Sequence, residues 1–108
     1  MPLKDQLKAI LSRHEGRLQA ITSRELSGVT GQPDRTIRLA IGELLDEGVP
    51  ICASTQPPAG YFLVSNLQEK ADYEKTMKSR IIGDAHRLKM FKHSAALYLK
   101  PAEQVRLI

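Results

Sequence analysis

The chain has few aromatic residues and almost no cysteine. Tryptophan is absent, and the aromatic residues are three tyrosines and two phenylalanines in 108 positions. Proteins that bind single-stranded nucleic acid stack bases on aromatic side chains, so this composition argues against that class. The single cysteine, Cys52, excludes a framework of disulfides and is typical of a protein of the reducing cytoplasm.

The sequence also lacks a long hydrophobic run. Its first residues, MPLKDQLKAIL, do not form the continuous apolar segment of a signal peptide, and no stretch reaches membrane-spanning length. We therefore expect a cytoplasmic protein with no membrane partner. The net charge of +4 is compatible with a polyanionic partner but does not require one.

Motifs for catalysis and for cofactor or metal binding are missing as well. There is no Gly-rich phosphate loop, no nucleophile elbow and no pair of carboxylates in an apolar setting. The histidines His14, His86 and His93 are scattered and have no ligand-spaced neighbours. Cys52 lies in a short apolar stretch without an activating base, which predicts a buried, unreactive thiol. We predict that the protein is not an enzyme and has no cofactor and no metal site.

Turn and cap residues in the middle of the chain predict two short helices joined by a tight turn. Thr22 and Glu25 have the spacing of a capping box, which starts a helix at Ser23. Gly31 ends that helix, because glycine readily adopts the positive φ of a helix terminus. The second helix is predicted over Pro33–Glu47, since proline suits the first turn of a helix.

The second of these helices has one apolar and one polar face. The apolar face consists of Ile37, Ala40, Ile41, Leu44 and Leu45. The candidate DNA-contacting residues at its leading end are Gln32, Asp34, Arg35, Thr36 and Arg38. At the start of the preceding helix, Thr22, Ser23 and Arg24 are candidates for phosphate contact, because free N–H groups there favour anions. A solvated face without a function is the alternative interpretation.

A β-hairpin is predicted directly after the second helix. Its strands are Pro50–Ser54 and Tyr61–Val64, and the segment between them is rich in turn residues. Ser54, Thr55 and Gln56 are its candidate phosphate contacts, because residues 50–64 contain no lysine or arginine. Upstream, the spacing of apolar residues predicts an amphipathic helix from Leu3, and residues 17–21 are predicted to contain a brief strand.

The order helix, strand, helix, turn, helix, hairpin resembles a known family. The segments ITSRELSGVTGQPDRTIRLAIGELLDEGVPI and AGYFLV are similar to the winged helix-turn-helix domains of prokaryotic and bacteriophage regulators. The following NLQEKADYEKTMKSRIIGDAHRLKMF resembles the helical tail of small phage and prophage winged-helix proteins. The resemblance extends from residue 3 to about 92 and implies DNA binding. The absence of a basic residue in the hairpin departs from the family pattern and leaves contact between the wing and DNA open.

The last third of the chain predicts one long helix. It begins at Leu67 and extends for some 25 to 30 residues, although Gly83 or His93-Ser94 could divide it. Its apolar positions are Leu67, Ala71, Met77, Ile81, Ala85, Leu88, Phe91 and Ala95. From residue 78 to 100 it is rich in lysine and arginine, and Asp84 is the single acid. The apolar stripe predicts a homodimer through residues 67–97, and packing on the first helix is the alternative.

These observations predict a fold class that is mainly α with a small β-hairpin. The expected parts are a winged helix-turn-helix domain at 1–65, a helical extension for packing or dimerisation at 66–100 and a frayed tail at 101–108. The expected function is binding of double-stranded DNA by a small transcriptional or phage-type regulator, with the helix at 33–47 in the major groove. The alternative is a protein-interaction adaptor, such as a phage replication or assembly factor, with little affinity for DNA.

Overall fold

The computed structural model describes residues 1–99. Lys100 and the predicted frayed tail at 101–108 lie outside the described residues. The chain divides into two compact units, the first comprising Met1–Tyr73 and the second beginning at Glu74. Residues 1–99 form four α-helices, a 3-10 turn and a two-stranded antiparallel sheet, which confirms the predicted fold class.

The elements follow one another without long loops. In chain order they are α1 (Leu3–Leu11), the 3-10 turn (Arg17–Gln19), α2 (Ser23–Thr30), α3 (Asp34–Asp46), β1 (Ile51–Ser54), β2 (Gly60–Leu63) and α4 (Leu67–Tyr98). The first helix therefore ends at its last apolar residue. Both predicted strands are present, each displaced by one residue at one or both ends.

Both ends of α2 are built as their residue types predict. The hydroxyl of Thr22 accepts a hydrogen bond from the backbone N–H of Glu25 at 3.0 Å, and the Glu25 carboxylate accepts one from the N–H of Thr22 at 3.2 Å. Gly31 ends α2 with φ of 74°. The predicted bounds of the second helix, Pro33–Glu47, were wrong by one residue at each end. Pro33 is the extended cap before α3, and Glu47 is the cap after it. The carbonyl of Pro33 still accepts the first helical hydrogen bond.

The apolar faces of α1, α2 and α3 meet in one core. Its fully buried side chains are Leu7, Leu11, Leu26, Ile37 and Leu44. Ile51 of β1 and Ile21, which precedes α2, complete this core from the side of the sheet. Because the core takes the inner face of α3, the residues on the opposite face of that helix are left in solvent.

The hairpin pairs β1 with β2 in the register Ile51↔Leu63 to Ser54↔Gly60. The brief strand predicted at residues 17–21 is only partly present. Arg17–Gln19 form a 3-10 turn, and Ile21 alone bridges to Tyr61 through hydrogen bonds of 2.9 and 2.7 Å. Only residues 20–22 lie between the 3-10 turn and α2, and one of them, Ile21, pairs with β2.

The helix α4 is uninterrupted over 32 residues, slightly more than predicted. Gly83 and the His93-Ser94 pair do not divide it, since the described chain remains α-helical through both. None of its residues is buried. The division between the two units falls within this helix, after Tyr73.

Candidate nucleic-acid interface

The outer face of α3 carries two arginines in solvent. Arg35 and Arg38 are both exposed, while Ile37 between them is fully buried. Thr36 is half-buried at the edge of this face, and Gln32 is exposed in the turn that precedes it. The helix thus presents its cationic side chains outward because its other side is fixed in the core.

Three of the predicted site residues are connected by hydrogen bonds. One carboxylate oxygen of Asp34 lies 2.7 Å from Nε of Arg38, and the other accepts a hydrogen bond from the Ser23 hydroxyl. The Ser23 hydroxyl, together with the Arg38 guanidinium, lowers the pKa of Asp34 below its ordinary value. We call Ser23, Asp34 and Arg38 the α3 clamp. The clamp orients the Arg38 side chain and ties the start of α2 to the first turn of α3.

The other candidates around α3 differ in whether their polar groups already have partners within the chain. Arg35 forms no ion pair with any residue in 1–99, and Arg24 is exposed in the first turn of α2. The Thr22 hydroxyl is committed to the capping box. Gln32 is engaged through its backbone, because its carbonyl accepts a hydrogen bond from the Ser27 hydroxyl. Arg24 and Arg35 are therefore the cations most available to a ligand.

Among the candidate residues of the hairpin, one forms hydrogen bonds within the loop and the other two are exposed there. The Ser54 hydroxyl donates to the carbonyl of Gln56 at 3.1 Å and accepts from its N–H at 3.2 Å. Thr55 and Gln56 are exposed in the loop. The strands and the loop of the hairpin contain no lysine or arginine.

A cation does reach the hairpin loop from elsewhere in the chain. The Arg17 guanidinium donates a hydrogen bond to the carbonyl of Pro57 at 3.4 Å. Arg17 lies in the 3-10 turn, 40 residues earlier in the sequence, so the residue types of the hairpin itself give no sign of this contact. The loop between the strands therefore has a positive charge beside it.

Glu69 fixes the backbone of Arg17 in this position. One oxygen of its carboxylate accepts the Arg17 N–H at 2.9 Å. The other accepts the N–H and the hydroxyl of Ser65 at 2.9 and 2.8 Å. These hydrogen bonds, led by that from Arg17, lower the pKa of Glu69. The first turn of α4 thereby belongs to the first unit and supports the 3-10 turn beside the hairpin.

Replacing Glu69 by glutamine is expected to make the stability of the protein less dependent on pH. Because the folded-state pKa of Glu69 is lowered, its stabilising effect is present above the unfolded value, near 4.5, and is lost as the pH falls through the folded value. We expect Glu69→Gln to unfold about 1 kcal/mol more easily at pH 7, and we expect this difference in stability to narrow as the pH falls below 4.5. Urea denaturation at a series of pH values measures this difference.

The control for that series is Glu15→Gln, which removes the same charge from an exposed side chain. It should leave the stability at pH 7 nearly unchanged. A difference between Glu69→Gln and the unmodified protein that stays constant from pH 7 to pH 3 would contradict the role assigned to the carboxylate.

The remaining titratable candidates do not form a site. Cys52 is buried, as predicted, and burial, together with the charge of Glu69, raises the pKa of its thiol. Among residues 1–99, no group of three or more histidine, cysteine, aspartate or glutamate side chains is placed to hold a metal ion. No helix in the described part of the chain has the length and apolar character needed to cross a bilayer.

Comparison of the chain with protein-family models, with curated proteins and with solved structures finds no significant match.

Proposed function

We propose that the protein is a small cytoplasmic regulator of the winged helix-turn-helix type that binds double-stranded DNA. The observation that carries the proposal is the exposure of Arg35 and Arg38 on a helix whose opposite face is buried. A helix anchored in this way can enter the major groove with its leading end toward the base edges. The turn before α3 and the hairpin after it favour the same interpretation.

The contacts of α3 suggest separate roles for its two arginines. Arg38 is held by Asp34, so its guanidinium has a defined direction and is suited to a guanine edge. Arg35 has no intramolecular ion pair in residues 1–99 and is suited to a phosphate or a base. Asp34, Thr36 and Gln32 are further contacts at the leading end of the helix.

Two other regions would position the duplex through its phosphates. Thr22, Ser23 and Arg24 begin α2, where backbone N–H groups and a cationic side chain favour an anion. Arg17 supplies the charge that the hairpin lacks, beside a loop in which Thr55 and Gln56 are exposed. Together these contacts would fix the position of α3 on DNA.

A titration with random-sequence duplex at two salt concentrations tests the proposal. Three phosphate contacts, from Arg17, Arg24 and Arg35, predict that affinity falls about 40-fold between 50 and 200 mM salt. A Kd in the micromolar range at the lower concentration is expected, measured by fluorescence anisotropy of labelled DNA. An absence of binding at 50 mM salt would refute DNA binding. Selection of bound duplexes from a random pool would then identify the preferred sequence.

The second candidate function is a protein-interaction adaptor with little affinity for DNA. The observation that favours it is the exposure of large apolar side chains on α4, where Ile81, Ile82 and Phe91 are each more than 60% exposed. A homodimer through residues 67–97 is one form of such an interaction. The titration with random-sequence duplex distinguishes the two functions, because an adaptor should show almost no affinity for DNA. Light scattering tests the homodimer separately, because a strict monomer would refute self-association through this helix.

A further inference from the structure

Exposed side chains of the second unit form a narrow apolar seam along α4. From Met77 they recur at alternating spacings of four and three residues, which is the pattern of helices that pair side by side. The seam consists of Met77, Ile81, Leu88, Phe91, Ala95 and Tyr98, with Asp84 at the one polar position within it. The large members are 43–90% exposed.

Positively charged side chains border this seam on both sides. Of the six positions that flank it between residues 78 and 94, four are basic, one is alanine and one is serine. The basic residues are Lys78, Arg80, Arg87 and Lys92. Arg87 lies 3.4 Å from Asp84, the acid within the seam. No acidic residue occupies a flanking position.

This distribution of charge argues against a second copy of the chain as the partner. In paired helices, the flanking residues of one helix face those of the other. In two copies no flanking cation would meet an acid at the facing position, and in a parallel pair Arg87 of each copy would face Lys92 of the other. Like charges at these positions oppose pairing, whereas acidic residues would form ion pairs with all four cations.

We propose that the seam on α4 docks an acidic amphipathic helix of another protein. The partner helix has apolar residues in its own seam and glutamate or aspartate on both flanks. Asp84 then gives the pairing a fixed register, because a single polar residue within an apolar seam is best placed opposite a polar group. This inference concerns the second unit and does not depend on DNA binding by the first.

Lipid and nucleic acid fit the seam less well. Ile82, Met90 and Leu97 are exposed and project about 130–150° away from the seam at 100° per residue. A helix lying on a membrane needs a polar face toward water, and these residues interrupt it. A phosphate backbone would pair with the flanking cations but leave the apolar seam uncovered.

The binding of two synthetic helical peptides to the full-length protein tests the proposal. Both peptides have 28 residues with isoleucine and leucine in the seam, and they carry either glutamate or lysine at every flanking position. We expect the glutamate peptide to bind with a micromolar Kd in isothermal titration calorimetry and the lysine peptide to show no binding. Equal affinity for the two peptides would overturn the proposal.

Two adjacent isoleucines provide matched variants. Ile81 lies in the seam and is 64% exposed, and Ile82 lies outside it and is 69% exposed. Ile81→Gln should weaken binding of the glutamate peptide at least tenfold, and Ile82→Gln should change it less than twofold. Equal effects of the two substitutions would show that the seam is not the docking surface.

A charge reversal guards against a variant that merely fails to fold. The double variant Arg80→Glu, Arg87→Glu should lose affinity for the glutamate peptide and gain affinity for the lysine peptide, a change that misfolding cannot produce. Two further outcomes overturn the proposal. One is a homodimer in light scattering that Ile81→Gln dissociates. The other is binding to vesicles of three parts phosphatidylcholine to one part phosphatidylglycerol that Ile81→Gln and Ile82→Gln each abolish.

Discussion

Replacement of Arg38 by alanine is expected to weaken binding to a selected duplex by about 1–3 kcal/mol, or about 5- to 150-fold in Kd. Arg38 is exposed on α3, and the Asp34 carboxylate fixes its direction at 2.7 Å. If the guanidinium bonds a base, the substitution removes that bond from the complex with the selected duplex. The complex with an unrelated duplex has no such bond to lose. The Kd for the selected duplex and for an unrelated one, measured at the same salt concentration, gives the effect.

Two substitutions separate base recognition from simple charge. Arg38→Lys keeps the charge but loses the planar guanidinium, so it should lose specific affinity and retain non-specific affinity. Arg13→Ala removes an exposed arginine outside the proposed interface and should affect both duplexes little. If Arg38→Ala weakens both duplexes equally, its contact is with the phosphate backbone and not with a base.

Replacement of Gly60 by alanine is expected to destabilise the fold by about 2–4 kcal/mol. A Cβ at this position would lie 2.3 Å from the backbone carbonyl oxygen of Ile21, and the φ of 132° is itself unfavourable for other residues. The same carbonyl accepts the hydrogen bond from Tyr61 at 2.7 Å. Relief of the clash would therefore break the bridge between Ile21 and the hairpin. Chemical denaturation measures the loss.

Gly28→Ala is the matched control for this substitution. Gly28 lies within α2, and an added Cβ there would meet no atom within 4 Å. Alanine is the better helix former, so this variant should be more stable by about 0.5–1 kcal/mol. If Gly60→Ala lowers the free energy of unfolding by less than Gly28→Ala raises it, the close approach of Ile21 to the hairpin is not a feature of the folded protein.

Local residue patterns predicted most of the framework because the relevant contacts lie close in sequence. Thr22 and Glu25 of the capping box are three positions apart, and this spacing predicted the start of α2 correctly. Gly31 ended the same helix for an equally local reason. Four of the five predicted apolar positions of α3 are core positions, because their 3.6-residue period defines one face, whereas Leu45 at the edge of that face is 44% exposed. The exposure of Arg35 and Arg38 on the other face followed from the same period.

Features that depend on distant residues were not predictable in this way. The single-residue bridge at Ile21 requires β2, which lies 40 residues later, and a brief strand was predicted in its place. The contact of Arg17 with Pro57 and that of Glu69 with Arg17 have no local signal, because each joins residues 40 or more positions apart. Ser23 and Asp34 are each predicted DNA contacts, but the hydrogen bond between them depends on how two helices meet.

The position of Cys52 gives the chain its own reporter of local opening. The residue is 5% exposed on β1, opposite Phe62 of β2, and its thiol holds its proton more tightly than an exposed one. An alkylating reagent attacks the thiolate and must reach the sulfur, so modification has to wait until β1 separates from its surroundings. As the sequence has no other cysteine, the rate of labelling follows that event alone.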